Sequence, residues 1–101
     1  MAPAESPIEP LNVVLQSAVA DEIREVRRLL DQLAELLIGD EHFATNYLEE
    51  LQVFDLLAQY ADETASVLDR LAGGEHPHSA VARVRLGVVR ERLQAALTGP
   101  A

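Results

Sequence analysis

The sequence predicts an all-α protein: an antiparallel up-down-up three-helix bundle, paired into a larger helical bundle by homodimerisation. Three observations predict it. Apolar residues recur at steps of three and four along most of the chain, glycines divide it into three helical stretches, and those stretches own more apolar face than three helices can cover. No segment alternates with a period of two, so strands are not expected. At 101 residues, 49% hydrophobic and 25% charged, the chain suffices for one domain.

Residues 1–10, rich in Pro, Ala and Glu, read as a flexible tail with too little apolar surface to pack. Pro7 and Pro10 are tolerated only near a helix start, which sets the first helix at about residues 11–38. Its apolar series is Leu15, Val19, Ile23, Val26, Leu30, Leu33 and Leu37, one face of a helix. Gly39 supplies a stop and Asp40 a cap. The second helix, about 41–72, carries a heptad seam through Tyr47, Leu51, Phe54, Ala58, Ala61, Ala65, Leu68 and Ala72, and Gly73-Gly74 ends it. Pro77 or Ser79 opens the third helix, about 77–98, and Gly99-Pro100 closes it, leaving 99–101 as the C-terminal end of the 11–98 bundle. Short connections make neighbouring helices antiparallel.

Placed on a wheel at about 100° per residue, the second helix shows a further stripe beside its seam: Val53, Leu56, Leu57, Tyr60, Val67 and Leu71. The third helix has Ala82, Leu86, Val89, Leu93 and Leu97 on one side and Val81, Val84 and Val88 nearly opposite, bordered by Arg85 and Arg92. An amphipathic helix needs a stripe only somewhat over 100° wide. Burying a large apolar side chain is worth about 1.5–3 kcal/mol, so leaving six in water forfeits on the order of 10 kcal/mol. A partner surface is the remedy, and a symmetric homodimer is its commonest form. The expected interface is Val53, Leu56, Tyr60, Val67, Leu71, Val81, Val84 and Val88.

The charge is −9, from 17 acidic and 8 basic residues, and every basic residue is arginine. Arginine without lysine, beside abundant alanine and leucine, fits a GC-rich bacterial genome. An acidic chain repels phosphate backbones and anionic membrane surfaces, so neither nucleic acid nor membrane is an expected partner. The longest run without a formal charge, Pro10 to Ala20, is too short to cross a bilayer. Met1 to Pro7 has neither a basic nor an apolar segment, so no secretion signal is expected and the location implied is cytoplasmic. Without cysteine there are no disulfides, thiolate metal sites or cysteine nucleophiles.

Few residues suggest chemistry. Glu22 is the one acid inside the first helix's apolar stripe, and with Arg85 and Arg92 it forms the candidate polar site. His42 lies in the first connection and His76 and His78 in the second, separated by some 45 Å of helix at about 1.5 Å per residue. They cannot share a metal within one subunit, and Glu75-His76-Pro77-His78 lacks the ligands for a closed site, so no metal or cofactor is expected. Gly73-Gly74 lacks the lysine and strand of a phosphate loop. The run from Ala20-Asp21-Glu22-Ile23-Arg24 to Leu36-Leu37 resembles the opening helix of the small all-helical chorismate mutases. Their site needs several basic side chains from successive helices, whereas only Arg70 stands between Arg28 and Arg83 here, and that chemistry is rejected.

The expected function is a non-catalytic protein–protein interaction module (adaptor, regulator or assembly chaperone) that self-associates and receives an amphipathic helix from another protein. The alternative is a small helical enzyme or ligand binder with its site at the subunit interface, around Glu22, Tyr47, Tyr60 and the arginines of the third helix.

Overall fold

The computed structural model describes residues 8–99, and among them it is helical with no strand. The described residues form five helices: α1 (Ile8–Ile38), α2 (Glu41–Asn46), α3 (Leu48–Ala72), α4 (Pro77–Ala82) and α5 (Gly87–Leu97). The tail expected over 1–10 falls, for residues 1–7, outside the described residues; residues 8–10 are the first turn of α1. Residues 100 and 101 also lie outside them.

Two breaks separate this architecture from three continuous helices. The first is at Tyr47. Asp40 caps α2 by accepting the Phe43 N–H at 3.0 Å, and Tyr47 leaves helical geometry at φ −128° and ψ 40°. Its ring stacks on Phe43 with centroids 4.9 Å apart, so a local aromatic contact accompanies the kink. The second break runs through Val84, Arg85 and Leu86. Three valines and Gly87 within residues 81–88 weaken the helix there. Side chains then take over the backbone groups: Arg90 Nη1 donates to the Val84 carbonyl (2.8 Å), Arg70 Nη1 to the Ala80 carbonyl (2.8 Å), and Glu63 accepts the Arg85 N–H (2.6 Å).

Between α3 and α4 the turn is a Schellman closure. The Glu75 N–H donates to the Arg70 carbonyl and the Gly74 N–H to the Leu71 carbonyl, with Gly74 at φ +89°. Pro77 then opens α4, where its missing N–H costs nothing.

Helices α1 and α3 form an antiparallel hairpin. Arg24 reaches Asp69 (2.5 Å) and Arg27 reaches Asp62 (3.3 Å), so rising numbers on α1 meet falling numbers on α3. The least exposed line on α1 runs Ala20, Ile23, Arg27, Leu30, Ala34 and Leu37. A second packing centre joins α3 to the α4–α5 unit: Val67, Val84 and Val89 are buried, with Tyr60, Leu71, Leu86 and Leu93 against them. The molecule is elongated, 69 × 29 × 20 Å. Its radius of gyration is 17.9 Å, against about 13 Å for a compact domain of this length.

Candidate functional site

The α1–α3 hairpin uses one side of each helix and leaves another open. On α1, Leu15, Val19, Val26, Leu29, Leu33 and Leu36 are all exposed, from 40% at Val19 to 75% at Leu36. These residues lie about 100° around α1 from the line that meets α3. On α3, Val53, Leu56 and Leu57 are exposed as well. The same rotation of about 100° per residue, applied to two antiparallel helices, places both sets on one flank of the hairpin. The α4–α5 unit covers the C-terminal half of α3 on that flank, through Val67, Tyr60 and Leu71. What remains is an apolar face spanning most of α1 and the N-terminal half of α3.

The expected interface residues divide between this face and the core. Val53, Leu56 and Val88 are exposed, while Tyr60 and Leu71 are half-buried against the α4–α5 unit. Val67, Val81 and Val84 are buried inside the subunit, Val84 at 1% exposure, and this corrects the reading of a Val81, Val84 and Val88 strip open to a partner. The wheel carried that strip through residues 84–86, where the chain is not helical, so its angles do not apply. On α1, the apolar face read from the sequence is divided: Ile23, Leu30 and Leu37 turn toward α3 with Ala20, Ala34 and the ion-pairing Arg27, while Leu15, Val19, Val26 and Leu33 stay outside.

The candidate polar residues do not gather. Glu22 lies exposed within the apolar stripe of α1. Arg85 instead belongs to Glu63, whose Oε2 is 3.5 Å from the Arg85 Nε, and the Arg92 guanidinium lies over the Tyr60 ring at 5.9 Å. Glu63 is the residue that sequence reasoning missed. It is 6% exposed, and its carboxylate fixes the bend between α4 and α5. Its wheel position among the polar residues of the second helix gave no sign of burial. Beside it, Gln59, Asp62, Arg85 and Leu86 complete a hollow of about 250 Å³, smaller than the roughly 300–1,000 Å³ of small-molecule sites.

Ion pairs occupy other sides of α1. A hydrogen bond from Arg28 holds the Glu25 carboxyl below the usual carboxylate range. The Asp69 hydrogen bond outweighs desolvation and, with the charges of Asp69 and Asp21, raises the Arg24 guanidinium above its ordinary value. His76 and His78 stack at 5.4 Å, and the His76 Nδ1 accepts the His78 N–H. His42 sits in α2 with its Nδ1 3.2 Å from the Asn46 side chain. Among the described residues no group of three or more His, Cys, Asp or Glu side chains could hold a metal ion. Nor is any described helix long and apolar enough to cross a membrane.

The class these observations define is an all-α protein with an open apolar flank on a helical hairpin. Comparison with protein-family models, with curated proteins and with solved structures finds no match to the chain.

Proposed function

We propose that this chain is a non-catalytic helical interaction module that self-associates through its apolar flank and so presents an acidic outer surface to other proteins. The observation that carries the reading is the stripe from Leu15 to Leu36, exposed along most of α1 beside Val53, Leu56 and Leu57 of α3. Single exposed leucines are ordinary on protein surfaces, but a contiguous patch of this kind marks an interaction site. Pairing two copies would place two hairpins face to face as a larger helical bundle, with the isologous symmetry usual for dimers. An adaptor, regulator or assembly chaperone acting in the cytoplasm fits this description. The net charge of −9 argues against nucleic acid and membrane as partners.

The test is the double substitution Leu29→Glu with Leu33→Glu, read by light scattering after size exclusion. The reading expects a dimeric parent and a folded monomeric variant. Equal masses for the two would refute it.

A further inference from the structure

The α1 stripe has the period of a helix-pairing seam. Leu15, Val19, Val26, Leu29, Leu33 and Leu36 follow steps of four and three, and Glu22 stands at the one place where that pattern calls for an apolar residue. From Leu15 to Leu36 the stripe is roughly 32 Å long at 1.5 Å per residue. Its occupant must therefore be a helix of about six turns with an uncovered apolar stripe of its own. Among the described helices, α1 alone meets both conditions: it has 31 residues, whereas α3 gives one face to α1 and half of its second stripe to α4 and α5. Nine large apolar side chains of the flank, Leu57 at 41% and Val19 at 40% the least exposed and Leu36 at 75% the most, are open together, a surface that a second copy would bury as the core of an interface.

We propose that the α1 stripe of one copy is covered by α1 of a second copy, and that Glu22, the lone charge inside the stripe, limits the strength of that pairing. The proposal rests on the self-association reading above and names the helix and the residue that set it. A carboxylate taken from water is costly unless a cation meets it. The arginines of α1 are already engaged: Arg24 by Asp21 and Asp69, Arg27 by Asp31 and Asp62, and Arg28 by Glu25. None is left to compensate Glu22 when two stripes close. A polar residue at one core position of a paired helix trades stability for a defined alignment, and Glu22 occupies such a position.

Sedimentation equilibrium on the full chain, Glu22→Leu, Glu22→Gln and Leu29→Glu tests this, with circular dichroism confirming helicity in each. Glu22 is exposed, so its replacement leaves the fold intact. The dimer Kd is expected to fall about tenfold or more in Glu22→Leu and less in Glu22→Gln, matching removal of a buried charge, while Leu29→Glu is monomeric. A parent that stays monomeric at every concentration refutes the self-association reading and this proposal with it, even where Glu22→Leu dimerises. A dimeric parent whose Kd is unchanged or raised in both Glu22 variants overturns the proposal and leaves the self-association reading standing. Monomers throughout the series overturn both.

Discussion

At the scale of single residues, Glu63 shows how one buried carboxylate shapes the chain around it. Its Oε1 accepts the Arg85 N–H at 2.6 Å, in a stretch that has no helical partner for that group. Glu63→Ala removes the acceptor of that bond, and a hydrogen bond to a charged group is worth about 1.5–3 kcal/mol. Thermal unfolding should report that loss, and hydrogen exchange should show the Arg85 amide opening faster; Glu63→Gln, which keeps an acceptor, should lose less. By contrast, Arg28 and Glu25 are a surface pair on one helix. Arg28→Ala should let the Glu25 carboxyl rise to its ordinary range in an NMR titration, since the arginine's hydrogen bond is what lowers it. The sign follows: the pair's stabilisation is present above the ordinary carboxylate range and fades as pH falls through the depressed value. Being exposed, it should leave the melting temperature nearly unchanged at neutral pH.

Among the elements, the two long helices were legible because hydrophobic periodicity and glycine punctuation are local signals. Their interruptions were not. The bend at Val84 to Leu86 depends on Glu63, Arg70 and Arg90, partners that periodicity along one segment cannot reveal. The kink at Tyr47 sits inside an unbroken heptad pattern and is marked only by its stacking on Phe43. Two substitutions check these elements. Val84→Ala removes buried methyl groups and should cost about 2 kcal/mol, whereas Val88→Ala, at a half-exposed site, should cost little. Equal costs would mean that the segment after Arg83 is one continuous helix with both valines on its outer side. Gly74→Ala meets no neighbour within 4 Å, so its expected loss of about 1–2 kcal/mol comes from the positive φ alone and is read by chemical denaturation.

For the whole molecule, an excess of apolar helix surface was legible in composition and pattern, but its address was not. A wheel identifies a face without naming the neighbour that takes it. Val67, Val81 and Val84 belong to an outer stripe on the wheel yet are consumed by the α4–α5 packing, while α1 meets α3 along Ala20, Ile23, Arg27, Leu30, Ala34 and Leu37 and leaves Leu15, Leu29, Leu33 and Leu36 open. Glu22 could be found in the sequence as an acid within a stripe, yet only the exposure of that stripe gives it a role in association. The most direct measurement is the molar mass of the unmodified chain by light scattering across a dilution series from millimolar to micromolar. Self-association through the flank predicts a mass approaching twice 11.0 kDa at the concentrated end, falling toward 11.0 kDa on dilution as the equilibrium shifts. A constant 11.0 kDa across the whole series would contradict it.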